Sequence, residues 1–279
     1  MKAVEPIATI DLFPGLSAEL IRLLQPLPRA AWENPTACAG WSVQDLVAHL
    51  WGGNVGRLSF GRDHHTLRNY PPFPSEYAAQ VAWIDQLNAD WVTFARRLSP
   101  PLLLDCLTTT DAQLYHYFKA LPPMAPSRAA VAWAGETQSP NWFDIAREYT
   151  EKWLHQQHIR EAVGQPLLHQ RQWLFPVLDT FLRALPHTYR AITAPEGTAI
   201  HFRIAGEAGG DWSLLRQADR WDLFTGMAPN AVATATLDQD LAWRLFTKGV
   251  SPTQASAQLQ TTGDARLALG ILGMVAIMA

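Results

Sequence analysis

Apolar residues recur at helical intervals along the first half of the chain and switch to strict alternation in the second. Leu20, Ile21, Leu23 and Leu24 follow helical spacing between Ser17, which can cap a first helix, and Pro26, which closes it after Gln25. A second helix starts at Ser42, whose pairing with Asp45 makes a capping-box-like entry. Trp41 before the cap can staple onto Leu46, and Leu46, His49 and Leu50 share one face. Past Pro71, Pro72 and Pro74, Ser75 can cap a third helix with an apolar stripe of Val81, Ile84, Leu87, Trp91, Phe94 and Leu98, stopped by Pro100 and Pro101. Residues from about 100 to 138 hold several prolines and no sustained period, which predicts a long connection. A fourth helix carries full punctuation: Ser139 as cap, Pro140 in the first turn, Gly164 past the end and Pro166 beyond, giving Pro140 to about Val163. Four such helices predict an antiparallel bundle with one or more long crossovers.

Beyond residue 165 a helical stretch from Leu174 to Leu185 gives way to Thr198–Ile204, where Ile200, Phe202 and Ile204 alternate with His201 and Arg203 as in a half-buried strand. Gly209, Gly210 and Asp211 read as a turn, followed by strand candidates at Trp212–Leu215, Trp221–Phe224 and Ala231–Leu237. Asp238 can cap a helix through Phe246, and Asp264 a last one carrying Leu267, Ile271, Met274 and Met278. The expectation is a mainly α N-terminal four-helix bundle over residues 1–165 and a smaller α+β domain over residues 166–279, its sheet antiparallel and its helices on one face.

A hydrophobic share of 48% against 17% charged residues supplies ample core and excludes disorder for most of the chain. The net charge of -3 offers no surface for gripping a phosphate backbone, so nucleic acid is not an expected partner. Cys38 and Cys106 are too few for a disulfide framework and read as free thiols in a reducing cytoplasm. The N-terminus lacks a signal-peptide apolar run, and the apolar tail from Leu267 to Ala279 is shorter than the roughly 20 residues of a membrane span, so a membrane is not expected either.

The sequence carries no P-loop, no dinucleotide fingerprint, no GxSxG elbow and no HExxH. What remains is Glu151, His155 and His158 on the fourth helix, which at about 100° per residue fall within about 60° of arc. With His49 from the second helix they could build a metal centre inside a bundle. Imidazoles and a carboxylate are ordinary zinc ligands, and three of them leave the fourth position open for water or substrate. The competing reading is a solvated stripe, because Trp142, Ile145, Tyr149, Trp153 and Val163 lie opposite; Lys152, Gln156 and Arg160 interrupt that apolar side and leave the choice open. Asp144 and Glu148 extend the stripe and could orient the imidazoles or face water as plain surface charges.

The segment from Pro35 through Cys38, Gly40, Trp41, Ser42 and Asp45 to His49 and Leu50 resembles the signature of the mycothiol-dependent maleylpyruvate isomerase family, a branch of the DinB-like metal-binding four-helix bundles. In that family a histidine ends the motif and a Glu-x-x-x-His pair on a later helix completes the metal site; His49, Glu151 and His155 stand at the matching positions. The family usually has Asp where this chain has His158, which leaves His158 as either an outer partner or a competing ligand. Residues 206–214, the Asp238 helix and the Gly263-Asp264 entry to the last helix are similar to the family's second domain, a small sterol-carrier-like unit.

The resemblance implies a divalent metal, most simply zinc, with a low-molecular-weight thiol such as mycothiol and a small-molecule substrate. The reaction would be cis-trans isomerisation of a maleylpyruvate-like dienoate or transfer of the thiol to an electrophile, without a role for either cysteine, in a monomer or homodimer. An arginine of the second domain would hold a dicarboxylate, with Arg203, Arg244 and Arg266 as unranked candidates. Fold-level likeness does not name a substrate. The alternative is a non-catalytic ligand-binding protein with a structural metal, for instance closed by His158, or with none.

Overall fold

The computed structural model describes residues 1–66 and 71–278. Ala279, the end of the apolar tail, lies outside the described residues. These residues form two compact units, one comprising Thr9–Arg128 with Glu148–Leu167 and the other Met1–Ala8, Ala129–Arg147 and Leu168–Met278.

The first unit is the helical bundle. Helix α1 spans Phe13–Leu24, starting earlier than the cap at Ser17 suggests. Pro14 sits in its first turn, where the missing N–H costs nothing, and Phe13, Leu16, Leu20 and Leu24 form the buried stripe. The Ser17 hydroxyl instead bonds Asp111 Oδ2 at 2.5 Å. Helix α2, Val43–Gly56, has the expected capping box: Asp45 N–H donates to Ser42 Oγ, and Ser42 N–H to Asp45 Oδ2 at 3.1 Å. Helix α3 spans Tyr77–Ala95 with Glu76, not Ser75, at its cap position. Of its predicted stripe, Val81, Ile84, Leu87, Trp91 and Leu98 are half-buried and Phe94 is 53% exposed, while the fully buried positions, Val92 and Ala95, lie outside that stripe.

The segment expected to be a long connection contains helix α4, Pro100–Ala120. The two prolines that stop the preceding helix also occupy the first turn of this one, the position where proline is at home. Leu103, Leu107, Leu114 and Phe118 then recur at four, seven and four residues, and all four are buried. Helix α5, Asn141–Ala162, belongs to this unit from Glu148 on and agrees with its punctuation, and Gly164 takes φ +66° just beyond it. The bundle core gathers Leu20 and Leu24 of α1, Leu46, Val47 and Leu50 of α2, Leu103 and Leu107 of α4, and Ile159 of α5.

The second unit contains a sheet of six strands among the described residues, β1 (Lys2–Ala3), β2 (Ala199–Ala205), β3 (Gly210–Arg216), β4 (Trp221–Thr225), β5 (Ala233–Asp238) and β6 (Gln260–Gly263), in the order β1-β4-β3-β2-β5-β6. It is mixed, not antiparallel: β2 pairs parallel with β5, Ile200 against Ala233 through Ala205 against Asp238. Because β5 enters beside β2 only after β3 and β4 have been laid down on the other edge, no hairpin turn marks that pairing in the sequence. At the β2–β3 turn a Cβ on Gly209 would lie 2.0 Å from the Ile204 carbonyl oxygen, so no other residue fits. His201 is buried and not on a wet face, held by Asp211 Oδ1 at 2.7 Å.

Around the sheet lie helices α6 (Arg171–Leu182), α7 (Leu185–Thr188), α8 (Gln239–Phe246), α9 (Pro252–Ser256) and α10 (Ala265–Leu269). Helix α10 starts at its Asp264 cap as expected but tightens into a 3-10 turn at Gly270–Gly273, leaving Met274 and Met278 beyond the helix. Among the described residues no helix is long and apolar enough to cross a membrane.

The capping box of Ser42 and Asp45 sets a pH-dependent test. Burial pushes its carboxyl up, and the Arg96 guanidinium with the Ser42 N–H outweighs this and holds it below the usual carboxylate range. The folded pKa is thus the lower one, so the stabilisation is present above the unfolded value of about 3.9 and fades as pH falls through the folded value. Arg96 is half exposed, so its share is discounted. Asp45→Asn should cost about 1 kcal/mol near neutral pH. Urea unfolding at a series of pH values should show the gap to wild type closing below about pH 4.

Candidate metal centre

Helix α5 is buried around most of its circumference. Tyr149, Trp153 and Ile159 have no exposed surface, and neither does Gln156; on the other side Asp144, Glu148 and His155 are each less than a tenth exposed. The stripe is thus largely covered at Asp144, Glu148 and His155, while Glu151, with its side chain 37% exposed, and His158 are half-buried at the same face. Lys152, which interrupts the apolar side, reaches Asn54 Oδ1 at 2.6 Å and Asp111 Oδ1 at 3.0 Å. Glu148 Oε2 accepts from Arg57 Nε at 2.9 Å, and Asp144 Oδ1 accepts from Arg147 Nη2 at 2.6 Å. These two carboxylates are engaged by guanidinium groups.

The i,i+4 spacing of Glu151 and His155 places both over the same turn of α5, opposite His49 on the seventh residue of α2. The structure brings all three together. Glu151 Oε1 lies 2.9 Å from His49 Nε2 and 3.0 Å from His155 Nε2. The imidazoles meet edge to face, centroids 4.8 Å apart, and Trp41 stands beside His49 at 5.2 Å. Burial pushes the Glu151 carboxyl up, but His155 and His49 against it more than reverse this and hold it well below the usual carboxylate range. The group is an anion facing two imidazole nitrogens, the donor set a zinc-like ion takes. A nitrogen and an oxygen on tetrahedral zinc lie about 3.4 Å apart, so a few tenths of an ångström of movement would admit one. The residues present fit a divalent metal.

Cys38 lies at this site, a placement the sequence reading did not make. The loop carrying it folds back on itself: Pro35 bridges to Ser42, Trp41 N–H donates to the Cys38 carbonyl at 3.0 Å, and Thr36 Oγ1 bonds the Trp41 carbonyl at 2.8 Å. Gly40 turns the corner at φ +78°. The Cys38 sulfur ends 3.5 Å from His158 Nδ1 and 3.8 Å from His155 Nδ1. Burial, with help from the Glu151 charge, pushes its thiol up to about 11. The available signal was its position in the same short motif as His49.

The three candidate arginines belong to the other unit. Arg203 pairs with Asp211 at 2.9 Å, Arg244 with Asp240 at 2.9 Å while stacking on Trp243, and Arg266 leans on the Thr193 carbonyl. None stands out as a dicarboxylate clamp.

A helical bundle with two imidazoles clustered on a carboxylate, followed by a small α+β unit, is the class of protein this architecture defines. The sequence profile of the mycothiol maleylpyruvate isomerase N-terminal domain matches residues 13–160, just over half of the chain, and the chain belongs to that family. Its fold is similar to the crystal structure of the mycothiol-dependent maleylpyruvate isomerase (TM-score 0.53) and to that of a histidine-to-alanine mutant of the isomerase (TM-score 0.55). In both comparisons 12% of residues are identical, with 94% of this chain and 96% of the other covered. No curated protein matches the chain in sequence.

If Glu148 serves the bundle through Arg57 and not the imidazoles, Glu148→Gln should lower stability by about 1–3 kcal/mol, the range for unpairing a mostly buried charge. Bound metal, read by elemental mass spectrometry, should stay at the wild-type level; metal loss in a folded variant would return Glu148 to the site.

Proposed function

We propose that this chain is a metal-dependent enzyme that uses a low-molecular-weight thiol, in the manner the names of its structural relatives describe. The observation that carries the reading is the convergence of His49 Nε2 and His155 Nε2 on one oxygen of Glu151 between α2 and α5. Residues 1–165 would be the metal-binding part and residues 166–279 the sterol-carrier-like part. The ion would be divalent, with zinc the best match to two imidazoles and a carboxylate. When bound, it supplies Lewis acidity that favours the ionised form of a thiol near neutral pH.

The residues of the chain do the positioning. His49 and His155 present their Nε2 atoms, Glu151 balances charge, and Trp41 packs beside His49 so that its ring does not wander. A small thiol such as mycothiol would add to the cis double bond of a maleylpyruvate-like dienoate, allow rotation about the resulting single bond, and leave as the thiolate, regenerating the trans double bond; transfer to an electrophile would use the same thiol. The surroundings fit a reducing cytoplasm, where Cys38 and Cys106 stay free. A small thiol, a small substrate and no nucleic acid are the expected partners, in a monomer or homodimer.

The test is turnover. Zinc-reconstituted wild type should isomerise the dienoate or consume an electrophile only when the thiol is present, and His49→Ala should lower kcat/KM by at least about 100-fold. Turnover equal in both proteins, or no thiol-dependent turnover with either substrate class, would contradict the reading.

A further inference from the structure

The ring of His155 has two edges, and the catalytic reading uses one. Its Nε2 faces Glu151, while its Nδ1 faces Cys38 Sγ at 3.8 Å, with His158 Nδ1 3.5 Å from the same sulfur. All three ligand atoms lie within 4.8 Å of one another, apart from the set formed by His49, Glu151 and His155 Nε2. We infer that Cys38, His155 and His158 form a second metal site, selective for a thiolate-seeking divalent ion of the zinc type and sharing His155 with the first; with both ions bound His155 bridges them as imidazolate, its remaining ring proton and the Cys38 thiol proton passing to solvent.

The spacing supports this. A sulfur at about 2.3 Å and an imidazole nitrogen at about 2.05 Å from tetrahedral zinc lie about 3.6 Å from each other. The two sulfur–nitrogen distances, 3.5 and 3.8 Å, fall on either side of that value. The loop is built to hold the sulfur there: the Pro35–Ser42 bridge, the Thr36 bond and the Gly40 turn fix Cys38, while the i,i+3 spacing of His155 and His158 fixes both rings on α5. The ligands differ in softness from the first set, since thiolate with imidazole favours zinc-like ions where a carboxylate also accepts harder ones. Three ligands again leave a position open, here for a second small thiol or for water.

The inference leans on the catalytic reading only in that His155 is common to both. Cobalt(II) is the probe that separates them, because a sulfur–cobalt bond gives a near-ultraviolet charge-transfer absorption that a site of two imidazoles and a carboxylate cannot give. Metal-free full-length protein, kept reduced and titrated with cobalt(II), should develop that absorption. Cys38→Ser should abolish it, and His158→Ala should weaken the cobalt affinity read from it by at least about tenfold. His49→Ala should keep the absorption while losing the other ion, so failure of the first site leaves the second standing. As a check independent of the variants, zinc should protect Cys38 of wild type from alkylation while Cys106, the internal reference, reacts unchanged. No sulfur–cobalt absorption in wild type, its survival in Cys38→Ser, its indifference to His158→Ala, its loss in His49→Ala, or equal alkylation of Cys38 with and without zinc would each overturn the second site.

Discussion

Two imidazole nitrogens share one carboxylate oxygen at 2.9 and 3.0 Å, and the charges along α5 are arranged around that contact. Glu151 is a half-buried anion on a helix whose opposite face is packed by Tyr149 and Trp153, and His49 and His155 stabilise its charge against the cost of that partial burial. That requirement ties α2 to α5: the capping box at Ser42 and Asp45 sets where α2 begins, and the seventh residue of the helix is then His49. The neighbouring buried charges are matched in the same way, Lys152 with Asp111 and Glu148 with Arg57. A bundle with this many paired groups gives up some stability relative to an apolar core of the same shape.

Much of the bundle was legible because its signals are local. Ser42 with Asp45 announces α2, and Ser139, Pro140 and Gly164 bracket α5 to within a residue or two. The miss at α4 has a specific cause: Pro100 and Pro101 are at once the end of one helix and the first turn of the next, and reading them only as a stop hid the Leu103, Leu107, Leu114, Phe118 stripe behind them. The parallel pairing of β2 with β5 had no local mark, since a crossover is a tertiary event. The alternation at His201 misled for the opposite reason, a polar residue finding its partner, Asp211, inside the fold.

The three proposed ligands were chosen by helical arc and by the family motif, and arc also placed His158 beside them. Arc alone could not separate a solvated stripe from a buried one; that depended on helices packing on both sides of α5. Nor could it bring in Cys38, which reaches the site through a folded-back loop and not along a helix. The two nitrogens of His155 thus face different chemistry, a carboxylate on one edge and a thiol with a second imidazole on the other.

The central claim is that His49, Glu151 and His155 hold a metal ion, and the most direct measurement is metal content by elemental mass spectrometry of tag-free, zinc-reconstituted protein, wild type beside His49→Ala. The account predicts that the variant, still folded by circular dichroism, carries about one ion per chain fewer than wild type. Equal metal content in the two proteins, or none in either after reconstitution, would contradict it.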